Sequence, residues 1–175
     1  DGNFACAGTI APEADGAIHV SGDFSLAETS LLELTYSGPS QPKPTFDVTG
    51  AAALGGRLHL SFPAETPPPL GAEFVIMQFA SASGTFDGVD GIYPYAQMGM
   101  RLLLGDNRLS LIATLAGDFN GDGTVNSRDL DIVRANWGQT VGAGDWSAGD
   151  GSGDGKVSST DLDLVRANWG ATAAA

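Results

Sequence analysis

Two 12-residue segments near the C-terminus carry oxygen-bearing side chains at the spacing of a calcium loop. Ca²⁺ prefers about six to eight oxygen ligands, which such a loop supplies from side chains at positions 1, 3, 5 and 12 and from the backbone carbonyl at position 7. We therefore predict two bound Ca²⁺ ions, one in residues 118–129 and one in residues 150–161. The predicted metal ligands are Asp118, Asn120, Asp122, Thr124 and Asp129 in the first loop and Asp150, Ser152, Asp154, Lys156 and Asp161 in the second.

The two loops are copies within an internal repeat of 32 residues, and each is followed by the same run that ends in Arg-Ala-Asn-Trp-Gly. A single loop of this kind is also compatible with an Asx-rich turn that binds no metal. Two loops in register, each leading into the same predicted helix, favour the metal site. Since Ser152 stands where the first loop has Asn120, we predict that the first site binds calcium more tightly. Without metal, repulsion between the carboxylates should leave the segment loosely folded.

This repeated segment, about residues 117–170, resembles a dockerin module. In dockerins each calcium loop ends in Asp and is followed, but not preceded, by a helix; here residues 109–115, before the first loop, are predicted as a strand. The resemblance implies docking onto a cohesin partner through loop positions 10 and 11, which are often Ser-Thr. Those positions are Ser127 and Arg128 in the first copy and Ser159 and Thr160 in the second, so that only the second copy matches.

The charge of the chain and the motifs that it lacks argue against several other functions. The net charge of −13 makes nucleic-acid binding improbable, since phosphate contacts need clustered Lys and Arg. No apolar run is long enough for a transmembrane segment. The chain begins at Asp1 without a signal peptide, which we interpret as a mature product or a fragment of an extracellular or cell-surface protein. The motifs of metalloproteases, serine hydrolases and phosphate-binding loops are missing, so we predict that the protein is not an enzyme.

Residues 1–116 are predicted to be a mainly β domain, and residues 117–175 a small α-helical calcium-binding domain. Residues 30–36 and 57–62 alternate apolar and polar side chains, as half-buried strands do. Residues 100–112 are typical of a hairpin around a Gly-Asp-Asn turn. A second repeat relates residues 18–26 to residues 46–54, which are 28 positions apart. A repeat of this length predicts a short β-helix-like stack, closed either by the hairpin or by another chain, with a β-sandwich as the alternative.

The same part of the chain has a looser resemblance to the closing segments of autotransporter-associated β-strand proteins. It rests on Gly-rich patterns such as Gly-Thr-Ile-Ala-Pro near the start and Ser-Gly-Thr-Phe-Asp-Gly-Val at residues 83–89. Those proteins are secreted and β-helical, so the resemblance implies a β-helix-like stack.

The three tryptophans divide into a repeated pair and a single residue. Trp137 and Trp169 follow the two predicted helices at matching positions, and the helical periodicity predicts that both pack in the core; the alternative is a symmetric pair of anchors for a partner. Trp146 lies in the Gly-rich connection 139–149, where we expect less burial and some freedom between the halves. Tyr93 and Tyr95 are weak candidates for a sugar platform.

Three functions remain open at this point. We favour a structural subunit that assembles with further copies of itself through calcium-folded loops. The first alternative is a dockerin-bearing protein that docks onto a cohesin scaffold. The second is a carbohydrate-binding module for a cell-surface polysaccharide, which would need an exposed aromatic face.

Overall fold

The chain folds into a stack of parallel β-strands followed by a small helical segment, and the computed structural model describes residues 2–13, 16–41, 43–62 and 67–173. The first ten strands are β1 (Phe4–Cys6), β2 (Thr9–Ile10), β3 (Ile18–Val20), β4 (Phe24–Leu26), β5 (Leu31–Thr35), β6 (Phe46–Val48), β7 (Ala51–Leu54), β8 (Arg57–Ser61), β9 (Glu73–Gln78) and β10 (Ser81–Gly84). The remaining elements are β11 (Gly88–Asp90), β12 (Met98–Leu104), β13 (Arg108–Leu115), α1 (Ser127–Ala135), a 3₁₀ turn (Trp146–Ala148) and α2 (Ser159–Ala167).

The strands form three sheets whose members recur in chain order, as the rungs of a solenoid do. The sheets have the orders β1-β4-β7-β10, β2-β5-β8-β11 and β3-β6-β9-β13-β12. Ile18 pairs with Phe46, so the 28-residue repeat is the height of one rung. The predicted β-helix-like stack is confirmed, and the β-sandwich alternative is wrong because the pairing within the stack is parallel.

The core of the solenoid forms because each strand alternates its side chains between the inside and the solvent. In β8 the pattern places Leu58 and Leu60 inside and His59 outside. Parallel pairing without a shift then stacks like residues on one another, so that Phe4 in β1 lies over Phe24 in β4. Phe24 in turn meets Phe46, which belongs to a different sheet, with ring centroids 5.2 Å apart. The exposed end of this aromatic column is Phe4, stacked on Phe24 at 5.4 Å and still 40% exposed.

An antiparallel hairpin closes one sheet at the C-terminal end of the solenoid. β12 and β13 pair from Met98 with Leu115 to Leu104 with Leu109, which confirms the predicted hairpin. β13 also pairs with β9 in antiparallel sense. The edge of β9 that a further rung would occupy is therefore covered by β13. Of the two predicted ways of closing the stack, the hairpin and another chain, the structure shows the hairpin in this sheet.

The two helices begin at their calcium loops because the loops supply their caps. Asn126 and Ser158 are the N-caps, and in both helices a capping box joins the N-cap to the Asp three residues later. Asp129 and Asp161 thus end the loops and start the helices. Each helix ends before its Asn-Trp-Gly, with Asn136 as the C-cap of α1.

The burial of the tryptophans is the reverse of the prediction. Trp137 and Trp169 are 52% and 55% exposed, so core packing was wrong for both. The periodicity that placed them inside fails because α1 ends at Ala135 and α2 ends at Ala167. Trp146 is instead buried at 1% exposure.

The connection between the helices is also not a free linker. Residues 139–141 bond to the second loop, through Val157 N–H to the Gln139 carbonyl (3.0 Å) and Val141 N–H to the Gly155 carbonyl (3.0 Å). Ala143 is buried against the core of the solenoid. The expected freedom between the two halves is therefore wrong.

Candidate calcium centre

The carboxylates at positions 1 and 12 of both loops are buried without a cationic partner. Asp118 is 1% exposed, and Asp129, Asp150 and Asp161 are 0% exposed. None of the ion pairs formed by the described residues includes any of the four. Buried carboxylates are stable as anions only when a cation or a dense set of hydrogen bonds compensates them. The donor set therefore fits a hard dication such as calcium.

Asp118 organises the first turn of its loop by accepting backbone hydrogen bonds. Its Oδ1 accepts from the N–H of Gly121 (2.8 Å) and of Asp122 (3.1 Å), and its Oδ2 accepts from the N–H of Gly123 (2.9 Å). Burial raises the pKa of Asp118, the amides of Gly123 and Gly121 lower it, and the charge of Asp129 raises it again. Burial outweighs the amides, so the pKa of Asp118 lies above its ordinary value.

The carboxylate at position 12 ties the two ends of each loop together. Asp129 accepts from the N–H of Asn120 (3.1 Å) and from the N–H of Asn126 (2.8 Å). Asp161 makes the same two bonds in the second loop, both at 2.8 Å. Positions 3, 9 and 12 are thus brought together in both copies.

The carboxylate at position 5 has a different set of partners from the other two, and one of them is a cationic side chain. Asp122 accepts from the N–H of Thr124 (3.0 Å) and from the side-chain amide of Asn120 (3.0 Å), and its Oδ2 lies 3.4 Å from the guanidinium of Arg128. In the described part of the chain, no three acidic, His or Cys side chains converge as a metal site by themselves. A calcium ion in this loop would therefore draw also on the Asn120 amide oxygen and the Thr124 carbonyl.

The second loop has partners that the first lacks. Asp150 Oδ2 accepts from the N–H of Gly144 (2.9 Å) as well as from the N–H of Gly155 (2.9 Å). Burial raises the pKa of Asp150, and these amides lower it. The Tyr93 hydroxyl donates to the carbonyl of Gly151, at position 2 of this loop (2.6 Å). The Tyr93 hydroxyl is thereby engaged by the loop.

Sequence reasoning missed Tyr93 and Gly144 because neither belongs to a repeat. Both lie outside the loops, and Tyr93 is 58 residues from its partner Gly151. Burial raises the pKa of Tyr93 well above its ordinary value, and the nearby charges of Asp161 and Asp150 raise it further. Its hydroxyl therefore keeps its proton and is a hydrogen-bond donor to the second loop.

The residues predicted to face a partner are all at the surface. Ser127, Arg128, Ser159 and Thr160 are exposed, and they form the first turns of α1 and α2. The Ser-Arg pair differs from the Ser-Thr pair electrostatically, since Arg128 contacts the carboxylate of Asp122. The two copies thus present similar backbones with unlike charge.

The family model of the dockerin type I domain matches residues 116–168. The C-terminal segment is a dockerin-like module. The module is of a kind that binds calcium and docks onto proteins, and that has no catalytic role itself. No curated protein and no solved structure matches the chain. The looser resemblance of residues 1–116 to autotransporter-associated proteins stays a prediction.

The pseudo-symmetry of the dockerin-like module comes from an exchange of short extended segments. The residues after α2 pair with the first loop, through Val125 N–H to the Ala171 carbonyl (2.9 Å), as those after α1 pair with the second. Val125 and Val157, at position 8 of the two loops, are buried in one cluster with Phe119 and Trp146. Among the described residues, no helix is both long and apolar enough to cross a membrane.

Proposed function

We propose that this protein is a non-catalytic extracellular subunit that docks onto a cohesin-like partner through its calcium-folded module. The observation that carries the proposal is the pair of loops whose four buried carboxylates form no ion pair with a cationic side chain of the described residues. Two calcium ions would compensate these carboxylates and fix the start of both helices. The proposed ligands are the ten residues predicted from the sequence, with Thr124 and Lys156 contributing their backbone carbonyls.

The proposed division of labour follows the two hydrophobic clusters. Residues 1–116 form the solenoid that is carried, and residues 117–175 form the module that docks. The clusters meet at the half-buried Tyr93, which packs against both. The solenoid therefore packs directly against the module.

The closed end of the solenoid weighs against self-assembly by head-to-tail stacking. At the C-terminal end β9 is covered by β13, and the N–H of Val89 in β11 is bonded to Gly153 of the second loop (2.8 Å). Two of the three sheets cannot accept a further rung there. A filament built by continuing the solenoid is thus less well supported than docking onto a different protein. The self-assembly that we favoured from the sequence, through the calcium-folded loops, stays a prediction.

One observation keeps self-association as a second candidate. β1 is the outermost strand of its sheet, and its first residue, Phe4, is 40% exposed. Unpaired strand edges with apolar neighbours favour pairing with another chain. Two copies could meet through these ends, independently of the module. Polysaccharide binding has weaker support, since Tyr93 faces the second loop.

The test separates the candidates by partner and by calcium. Light scattering of the full chain in calcium and after chelation should give a monomer in both, and a panel of immobilised type I cohesins should retain the chain only in calcium. Ser159→Ala combined with Thr160→Ala should weaken that retention, with Ser127→Ala combined with Arg128→Ala as the matched control. Calcium-dependent oligomers without cohesin binding would refute the proposal in favour of self-assembly.

A further inference from the structure

The second calcium loop continues one ladder of the solenoid. Ile10, Leu32, Leu58 and Val89 stand in register on successive strands of the β2-β5-β8-β11 sheet. The N–H of Val89 points away from β8 and donates to the carbonyl of Gly153 at 2.8 Å. Gly153 thus lies where the next rung would place its strand, and position 4 of the calcium loop caps the sheet edge.

This contact requires glycine at position 153. The φ of Gly153 is +79°, in the region that favours glycine, and a Cβ there would collide with the carbonyl oxygen of Val89. Gly121, at the same position of the first loop, has a φ of +75°, but a Cβ there would meet only the end of the flexible Arg101 side chain. The two glycines have the same kind of positive φ. Only Gly153 lies against the backbone of the solenoid.

A second, independent contact joins the same loop to the solenoid. Tyr93 donates to Gly151 at 2.6 Å, and its ring stacks on Trp146 with centroids 6.0 Å apart. Trp146 meets Phe119 edge-on at 5.6 Å. Position 2 of the second loop is thereby held from the solenoid side, in addition to position 4.

We propose that the solenoid is part of the second calcium site: β11 and Tyr93 hold loop 150–161 in its metal-binding shape, and calcium bound there fastens the last rung of the solenoid. The proposal rests on the proposed calcium function. The coupling is reciprocal, so any factor by which the solenoid contact raises calcium affinity is the factor by which calcium strengthens that contact. The first loop lacks the Val89 contact, so calcium bound there should leave the Val89 hydrogen bond unchanged.

The direct readout is hydrogen exchange at the Val89 amide, followed by NMR on the full chain with calcium or with a chelator. Calcium should slow this exchange by about tenfold or more, because the amide is released only when loop 150–161 leaves the sheet edge. Gly153→Ala should remove the protection, whereas Gly121→Ala should keep it. Asp161→Asn and Asp129→Asn form a second matched pair, and only Asp161→Asn should release Val89.

Calorimetric titration with Ca²⁺ alone measures the reciprocal effect, which is the effect of the solenoid contact on calcium affinity. Tyr93→Phe deletes one hydroxyl and keeps the ring, so it should weaken one of two sites by several-fold and leave the other unchanged. Calcium-independent exchange at Val89, or equal release by Gly121→Ala, would overturn the proposal while leaving the calcium function intact. A titration with no binding at either loop would instead refute the calcium function.

Discussion

Trp146 should be the most costly single tryptophan to remove, although it has no partner in the repeat. It is 1% exposed and lies between Tyr93 of the solenoid and Phe119 of the module, with centroid distances of 6.0 Å and 5.6 Å. Truncation of a fully buried Trp to Ala typically lowers the free energy of unfolding by about 3–5 kcal/mol. We expect Trp146→Ala to fall in this range in saturating calcium.

The assay is urea unfolding followed by circular dichroism, with Trp169→Ala as the control. Trp169 is 55% exposed, so its removal should change the free energy of unfolding by about 0.5 kcal/mol. With a slope of about 2 kcal/mol per molar urea, the loss at Trp146 corresponds to a midpoint lower by about 2 M.

The variant Trp146→Phe separates the contribution of the packed ring from that of the buried indole N–H. The indole N–H of Trp146 is buried and has no hydrogen-bond partner among the described residues. Trp146→Phe would remove this unpaired donor and keep an aromatic ring, so it should cost less than about 1.5 kcal/mol. If Trp146→Ala and Trp169→Ala lowered the urea midpoint equally, the burial argument for Trp146 would be refuted.

Four further outcomes follow from the loops and the core. Chelation should lower the helical signal at 222 nm, because the buried carboxylates then repel one another; an unchanged signal would contradict this. Calorimetry should find the first site tighter, and Ser152→Asn should raise the affinity of the second; equal wild-type affinities would count against the ligand argument. Arg128→Thr should raise first-site affinity by less than about fivefold, since its exposed pair with Asp122 contributes at most about 1 kcal/mol, and lower affinity would contradict competition. Phe24→Ala should destabilise the solenoid by about 3–5 kcal/mol without changing calcium affinity, as its side chain is 1% exposed and belongs to the solenoid cluster.

Most of the architecture could be predicted because it repeats. The 28-residue spacing of residues 18 and 46 became the rung height, and the 32-residue spacing of the loops became the pseudo-symmetry of the module. A repeated segment shows the same residue pattern at two places in the sequence. In a parallel stack, residues one repeat apart then occupy equivalent positions on successive rungs. The alternation in β5 and β8 then decided which side chains lie inside.

The errors lie where the chain stops repeating or stops being helical. The spacing of Leu130, Val133 and Trp137 follows a helical period, but Asn136 caps α1 before the third of them. Trp146 looked exposed because its neighbours are small and Gly-rich. The same property lets Gly144 pack closely against Val89 of β11 and Leu102 of β12. Tyr93 carries no sequence signal for its role, because its partner Gly151 is distant in the chain.

The hydrogen bonds that join the module to the solenoid affect how the module would present a bound partner. A docking module on a flexible tether presents its partner in many directions, since a Gly-rich linker behaves as a coil. Here the second loop is bonded to β11, and the exchanged segments bond the first half to the second, with Gly138 N–H donating to the Val157 carbonyl at 2.8 Å. Fixing one loop therefore fixes both helices, and with them the exposed pairs at Ser127 and Ser159. A partner bound at either pair would hold the solenoid at one set angle, so calcium at the second loop would govern the geometry of the assembly as well as its formation.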